Sequence, residues 1–497
     1  MATRPLEAEP PAFDTRFFGH PRGLATLFFT EMWERFSYYG MRAILLLFMV
    51  TPTSHGGLGF ATATAGVIYG LYTSMVYLVS VPGGWVADRI LGQRRAVLYG
   101  GILIIFGQFS LGMPKLPFFY VGLGLLVAGT GLLKANVSTI VGQLYAAGDV
   151  RRDAGFSIFY MGINLGAFIA PLAVGYVGQR INWNLGFVLA GFGMTIGVIQ
   201  YSLGHKYLGT AGLYPVPAET AEARAKVRRT AWLGVAVVAL LIGVPLLLQT
   251  AGVIQITAAA IGGANGILLG TVTLAVFGTL LLNKEWTALE RKRLIAVIAL
   301  FIASVLFWSA YEQAGSTLTL LADRSTENSF FGISFPSSWY QSLQAIFVIL
   351  FAPVFALLWL RLGKRDPSTP LKFSIGLVMV GVGFAVIAIG AARASTGVKI
   401  SPLWLFSTYF IQVCGELCLS PVGLSVISKL APQKVAGLMM GVWFLSISIG
   451  DYIAGLFGSA YEKYPPPVLF SVVAGITVAL GAILLLLARP IKRLMAL

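Results

Sequence analysis

The chain contains few charged residues and few of the side chains that bind metals. Only 11% of its 497 residues are charged and 57% are hydrophobic, whereas about 25% of the residues in soluble domains are charged. This composition excludes a soluble multidomain enzyme and a disordered chain. The only cysteines, Cys414 and Cys418, share one apolar run with no histidine nearby. We therefore expect no disulfide framework, no metal site and no cofactor.

Histidine is almost as scarce as cysteine. His20, His55 and His205 all lie outside the apolar runs, and no His-Glu-x-x-His motif or nucleophile elbow occurs in a suitable context. An intramembrane hydrolase or lipid transferase is therefore disfavoured, and we expect that the protein is not an enzyme. Residues 1–21 are polar and contain proline, which is not the pattern of a cleavable signal peptide.

Long apolar runs account for most of the sequence. The mean hydropathy is +0.82, and a helix needs about 20 apolar residues to cross a bilayer. Because lipid offers no partners for backbone N–H and C=O groups, the pattern predicts an all-α membrane protein. The predicted spans, 14 in number, are residues 24–51, 61–86, 95–113, 117–147, 155–178, 184–205, 230–250, 256–282, 293–321, 337–362, 371–393, 402–430, 434–459 and 466–489.

The excess of 35 Lys and Arg over 19 Asp and Glu lies mainly in alternating segments between these runs. Such an alternation places both termini in the cytoplasm of a cell membrane, and it argues against a nucleic-acid partner. The layout predicts an N-terminal bundle of six helices (1–206), a linker with two additional helices (207–292) and a C-terminal bundle of six (293–497). The additional pair lacks ionisable residues, so we expect it to be a scaffold facing lipid.

Charged residues inside the spans are the strongest functional signal, because each costs roughly 2.5–3.5 kcal/mol at the bilayer centre. At about 100° per residue, those of the first span form one polar stripe with Tyr38, and that stripe must face a protein cavity or water. The eight charged residues are Glu31, Glu34, Arg35, Arg42, Lys134, Glu312, Glu416 and Asp451.

The buried charges divide by sign between the two halves of the sequence. The first six spans contribute the three cations, together with two carboxylates that can neutralise part of them, and the last six contribute Glu312, Glu416 and Asp451 with no cation. A cavity between two such bundles suits a zwitterion, whose carboxylate faces Arg35 and Lys134 and whose ammonium faces Glu416. Carboxylates in a dry cavity can also carry a proton in transit. Charge placement alone leaves peptides, amino acids and zwitterionic drugs open as cargo.

Five motifs resemble those of the proton-dependent oligopeptide transporter family of the major facilitator superfamily. They begin at Glu31-x-x-Glu34-Arg35-Phe36-x-Tyr38-Tyr39-Gly40 and at Phe159-Tyr160-x-x-Ile163-Asn164-x-Gly166 in the first half. Trp308-x-x-Tyr311-Glu312-Gln313-x-Gly315-Ser316 and Gly415-Glu416-x-x-x-Ser420-Pro421 follow in the second. The segment Gly84-x-x-x-Asp88-Arg89-x-x-Gly92-x-Arg94-Arg95 resembles the loop between spans two and three of the superfamily.

The resemblance implies a major facilitator fold with two extra central helices, as in bacterial members, and a symporter that imports di- and tripeptides with protons by alternating access. It assigns proton coupling to Glu31, Glu34, Arg35, Lys134 and Glu312, and gating to the loop with Asp88, Arg89, Arg94 and Arg95. The implied substrate-binding residues are Arg35, Tyr39, Arg42, Tyr77, Lys134, Asn164, Trp308, Gln344, Glu416, Ser420 and Trp443.

The expected partners are di- and tripeptides, protons and the lipid bilayer, and we expect a monomer. With no histidine in any span, proton coupling would depend on carboxylates and Lys134. The alternative is a transporter of another zwitterion, drug or anion on the same fold.

Overall fold

The computed structural model describes residues 15–146, 148–215, 220–430 and 436–495. These residues are almost entirely helical, as predicted. The helices are α1 (Arg22–Val50), α2 (Thr62–Leu78), α3 (Ser80–Val86), α4 (Gln93–Leu111), α5 (Leu116–Gln143), α6 (Arg152–Arg180), α7 (Trp183–Gly204), α8 (Ala221–Thr250), α9 (Ala258–Leu282), α10 (Ala288–Tyr311), α11 (Thr317–Ser325), α12 (Ser342–Leu362), α13 (Thr369–Ala394), α14 (Leu403–Leu430), α15 (Ala436–Ser459) and α16 (Pro466–Met495).

Among the described residues, 12 helical segments are long enough and apolar enough to cross a membrane. The other two predicted spans, 24–51 and 95–113, coincide with α1 and α4, which are helical but more polar. Residues 434 and 435, the first of the span predicted at 434–459, lie outside the described residues. A short hairpin of β1 (Ser329–Phe330) and β2 (Ile333–Ser334) stands in the loop before α12 and was not predicted.

Unit 1, the first of two compact units, comprises Met1–Gly40, Val79–Ala170 and Phe187–Gln255. Within it α4 packs along α5, and α3 packs against α5. The first half of α6 meets α1 through glycine: a Cβ on Gly166 would lie 2.2 Å from the Met32 carbonyl oxygen. This close approach fixes the helix that carries the polar stripe.

Unit 2 comprises Met41–Leu78, Pro171–Gly186 and Ile256–Leu497. In it α13 packs along α16 and α14, while α2 packs along α15 and α10 also contacts α15. The units therefore divide α1 after Gly40 and divide α6 at Pro171, which lies inside that helix. The division into 1–206, 207–292 and 293–497 follows chain order and stays a prediction.

The two additional helices differ from each other. Helix α8 has no buried residue, as expected for a helix that faces lipid. Helix α9 is also mostly exposed, but one face is anchored, because Asn265 is buried and its amide nitrogen donates to the Ser74 Oγ of α2 at 2.9 Å. Gly266 also lies against the Tyr452 hydroxyl of α15. The absence of charge from the sequence of α9 concealed this polar anchor.

Replacing Asn265 with leucine is expected to loosen α9 and lower the thermal stability of the purified protein in detergent. A hydrogen bond between membrane helices contributes about 0.6 kcal/mol and at most about 1.7 kcal/mol. The matched control is Thr273→Val, because the Thr273 hydroxyl donates to Leu269 of its own helix at 2.7 Å. Equal melting shifts for the two variants would contradict the assignment of Asn265 as an anchor.

Candidate functional site

The polar stripe of α1 forms a buried charge cluster in unit 1. Glu31, Glu34 and Arg35 are each at most 3% exposed. Arg35 Nε lies 3.0 Å from Glu31 Oε1 and also forms an ion pair with Glu34. The Arg35 guanidinium stands 5.5 Å from the ring centre of Tyr38. Burying these charges is tolerated because they are paired.

Helices α5 and α6 contribute the remaining predicted site residues of unit 1. Lys134 of α5 is half-buried and interacts electrostatically with Glu31. Asn164 of α6 is buried, and its amide nitrogen donates to the Tyr160 carbonyl at 3.0 Å. Tyr39 is half-buried beside Tyr38, with 5.1 Å between ring centres. Unit 1 therefore brings Glu31, Glu34, Arg35 and Lys134 together.

The predicted gating loop lies at the junction of α3 and α4. Asp88 and Arg89 occupy a π-helical turn, Ala87–Leu91, and are exposed. Gly92 follows with φ of 79°, in the left-handed region that favours glycine. Arg95 is exposed. The gating role of the loop stays a prediction.

Arg94 binds the segment that follows α7, a contact that the sequence did not predict. Its side chain donates to the carbonyls of Gly209 and Ala211 at 2.5 and 2.6 Å, and its backbone nitrogen donates to Gly212 at 2.9 Å. The start of the predicted linker is therefore fastened to α4. Helix α8 then begins at Ala221, capped by the Thr220 hydroxyl.

A second buried ion pair lies in unit 2 and joins residues that are 270 positions apart. Arg42 of α1 is 4% exposed, and its guanidinium lies 2.5 Å from Glu312 Oε2. Glu312 begins a 3₁₀ turn, Glu312–Gly315, directly after α10. The pair ties the second half of α1 to the end of α10. Because both charges are buried, removing either one would leave the other uncompensated.

Glu416 of α14 accepts a hydrogen bond from the Tyr311 hydroxyl of α10. Tyr311 stacks on Phe307 and meets the predicted aromatic residue Trp308 edge to face, with 5.6 Å between ring centres. Unit 2 thus places Glu416 beside an aromatic wall. Trp443 of α15 is buried, whereas Tyr77 of α2, Gln344 of α12 and Ser420 of α14 are half-buried in the same unit. Their binding roles stay predictions.

An ionic contact that the sequence did not predict joins three chain segments in unit 2. Arg324 donates to Glu462 Oε1 at 2.9 Å and to the Thr62 hydroxyl at 3.0 Å. Thr62 in turn donates to Glu462 at 2.5 Å. The hydrogen bond from Thr62, with that from Arg324, lowers the pKa of Glu462 below its ordinary value despite partial burial. Glu462 therefore stays ionised at neutral and mildly acidic pH.

Sequence reasoning also missed Tyr69 and Tyr311, which contact the charges of unit 2. A tyrosine in an apolar run usually serves packing or lies at the membrane interface, so the residue type alone did not indicate a functional contact. Only the position of Tyr311 next to Glu312 in a motif could have drawn attention to it. Cys414 and Cys418 are both buried thiols without a disulfide. Within the described ranges, no three His, Cys, Asp or Glu side chains are placed to hold a metal ion.

Residues 94–467 match the sequence profile of the POT family. The chain is 46% identical to the uncharacterized transporter YclF of Bacillus subtilis, over 96% of both chains. It is 40% identical to the di-/tripeptide transporter of Lactococcus lactis subsp. cremoris, over 96% of this chain and 97% of the relative.

A crystal structure of a peptide transporter POT in complex with sulfate superposes with a TM-score of 0.92. It is 44% identical, and the match covers 97% of this chain and 98% of that one. The major facilitator fold expected from the motifs is confirmed by this likeness. The chain belongs to the POT family, the proton-dependent oligopeptide transporters that its motifs indicate.

Proposed function

We propose that the protein imports di- and tripeptides together with protons. The observation that carries this proposal is the buried Arg42–Glu312 ion pair, in which a single proton would neutralise the carboxylate and leave Arg42 as the only charge of the pair. Such a pair is a two-state element: it is closed when the carboxylate is charged and weakened when it is neutral. Relatives in the family include a di-/tripeptide transporter of Lactococcus lactis, which supports peptides as the cargo.

The cluster of unit 1 supplies a physical reason for coupling peptide to proton. Arg35 is already paired with Glu31 and Glu34, so a peptide carboxylate can bind Arg35 only by competing with them. Protonation of either glutamate removes one competitor and frees part of the guanidinium. Lys134, which interacts with Glu31, gains the same opportunity. Peptide carboxylate and proton therefore favour each other's binding.

The amino end of the peptide is assigned to Glu416, with Asn164 and Gln344 as amide partners. Glu416 has a hydroxyl donor in Tyr311, and an ammonium group would add the positive charge that this carboxylate lacks. The aromatic residues Tyr39, Tyr77, Trp308 and Trp443 are assigned to the side chains of the peptide, since flat rings contact varied apolar groups without strict geometry.

The proposed setting is a bacterial cell membrane with both termini in the cytoplasm and the protein as a monomer. In that orientation Thr62, Arg324 and Glu462 lie at the extracellular end of unit 2. Their contacts join α2, α11 and the segment after α15, and the Arg42–Glu312 pair of the same unit joins α1 to the turn after α10. Opening to the outside would require these contacts to break.

Labelled dialanine uptake into proteoliposomes tests this proposal. We expect accumulation with an inward acid gradient, and only equilibration after a protonophore collapses the gradient. Lys134→Ala is expected to abolish accumulation, because the carboxylate-binding cation is lost. Uptake that ignores the gradient would indicate facilitated diffusion, and failure to transport any di- or tripeptide would favour the alternative cargo of another zwitterion, drug or anion.

A further inference from the structure

Tyr69 of α2 contacts the same guanidinium that pairs with Glu312. Its side chain is 1% exposed, and its hydroxyl oxygen accepts a hydrogen bond from Arg42 Nε at 2.7 Å. A different nitrogen of the same guanidinium meets Glu312 at 2.5 Å. The guanidinium is a rigid planar fork, so a bond at Nε also fixes the direction of the nitrogen that faces Glu312.

The turn that carries Glu312 also lies directly against the Tyr69 hydroxyl. A Cβ added to Gly315 would lie 1.7 Å from the Tyr69 oxygen and 3.0 Å from Arg42 Nε. Only glycine leaves room for both groups at this point. Gly315 ends the 3₁₀ turn that Glu312 begins, so one short turn fixes both the carboxylate and the position of the tyrosine.

Two other ionisable groups interact with the pair or with Tyr69, but neither can replace the Tyr69 hydroxyl as a neutral acceptor for Arg42 Nε. Glu416 of α14 interacts electrostatically with Glu312, and Asp451 of α15 interacts with Tyr69. Both are carboxyl groups, so the charge that each presents to the pair depends on its own protonation. A neutral hydroxyl, in contrast, stays an acceptor for Arg42 Nε whether Glu312 is charged or protonated.

We propose that Tyr69, seated against Gly315, is a positioning residue for the Arg42–Glu312 pair. It keeps the guanidinium within reach of Glu312 while that carboxylate is protonated, so that the pair forms again when the proton leaves. The inference rests on the proposed proton coupling and extends it to a residue without charge. Tyr69 is not assigned a contact with the peptide.

Tyr69→Phe is the direct test. Without the hydroxyl, Arg42 spends less time facing Glu312, the ionised carboxylate is less stabilised, and less acid is needed to neutralise it. The midpoint of the pH profile of dialanine accumulation should therefore move to higher pH, by about half a unit or more. The KM for peptide in counterflow exchange, which needs no net proton movement, should stay unchanged.

Tyr409→Phe is the matched control. Tyr409 is also fully buried in unit 2 and interacts electrostatically with Arg42, but its hydroxyl has no hydrogen-bond partner among the described residues. Removing it deletes the same atom from the same surroundings without touching Arg42 Nε. An equal shift in both variants, or no shift in Tyr69→Phe, would overturn the proposal.

Two further variants test the Gly315 contact and the dependence of the effect on Glu312. Gly315→Ala places a methyl group where the hydroxyl lies and should reproduce the shift of Tyr69→Phe, even where that variant is poorly produced; an unshifted profile would count against the proposal. In a Glu312→Gln background, where only counterflow exchange remains, Tyr69→Phe should leave the exchange rate unchanged at every pH tested, because the partner is already neutral. Wild-type protein that accumulates peptide without any pH dependence would instead refute the proposed function itself.

Discussion

Glu312→Gln is expected to abolish peptide accumulation while leaving counterflow exchange intact. Glutamine has the shape of a protonated glutamate but cannot lose the proton, so Arg42 never regains its charged partner. Exchange of labelled for unlabelled peptide needs only the loaded carrier to reorient, whereas accumulation needs the proton to leave. One coupled proton across a gradient of one pH unit supports about tenfold accumulation. The variant should lose that factor entirely.

The measurement compares dialanine accumulation and counterflow in the same proteoliposomes at several external pH values. Accumulation by Glu312→Gln that approaches the wild-type ratio would show that another carboxylate carries the coupled proton. Loss of both activities would instead indicate that the neutral side chain prevents reorientation. In either case the role assigned to the Arg42–Glu312 pair would be wrong.

Glu462→Gln is the control carboxylate for this experiment. Glu462 also pairs with an arginine, but its pKa lies below its ordinary value because Thr62 and Arg324 donate to it. A lowered pKa in the folded state contributes stability above the unfolded pKa, and that contribution is lost only as the pH falls through the lowered value. Between about pH 5 and pH 8 its charge is therefore constant.

Neutralising Glu462 should change stability slightly and the pH profile not at all. The carboxylate is 55% exposed, and ion pairs in such positions contribute about 0–1 kcal/mol. A shifted accumulation midpoint in Glu462→Gln would mean that the pH profile reports general charge loss in unit 2. The contrast between the two glutamine variants thus isolates the buried pair.

The fold could be predicted from the sequence because membrane insertion leaves few choices. Runs of about 20 apolar residues with unsatisfied backbone groups must become helices, and the structure has helices over the predicted spans. The motif positions also indicated which charges of α1 lie together, since Glu31, Glu34 and Arg35 follow one another within little more than one helical turn. Local periodicity was sufficient for both results.

Contacts between distant segments could not be predicted in the same way. The family resemblance suggested that ionised Glu312 could pair with a cation of the first half, but it did not indicate which one, and the structure shows Arg42, 270 positions away. Charge placement does not reveal neutral residues such as Tyr69 and Asn265, and Gly315 stood in a motif without an assigned role. Such groups become informative only when their hydrogen bonds and the space around them are known.

The packing of the chain likewise does not follow its order. The first halves of α1 and α6 belong to unit 1, and their second halves belong to unit 2. A helix divided in this way contributes charge to two separate clusters: Arg35 lies in one and Arg42 in the other, seven residues apart.

Glu416→Gln is expected to remove the preference for peptides with a free amino end. In the proposed role, this carboxylate pairs with the peptide ammonium, and losing one partner of a buried charge pair costs about 2–5 kcal/mol. The KM for dialanine should therefore rise at least about thirtyfold. The KM for N-acetyl-dialanine, which offers no ammonium, should change little.

The competition of both peptides against one labelled substrate gives the two values in a single series. Tyr311→Phe is the matched control, because it removes the hydroxyl that donates to Glu416 but keeps both the carboxylate and the ring that stacks on Phe307. That variant should retain discrimination between the free and the acetylated peptide. Parallel loss of affinity for both peptides in Glu416→Gln would show that Glu416 supports the architecture of unit 2 and does not bind the amino end.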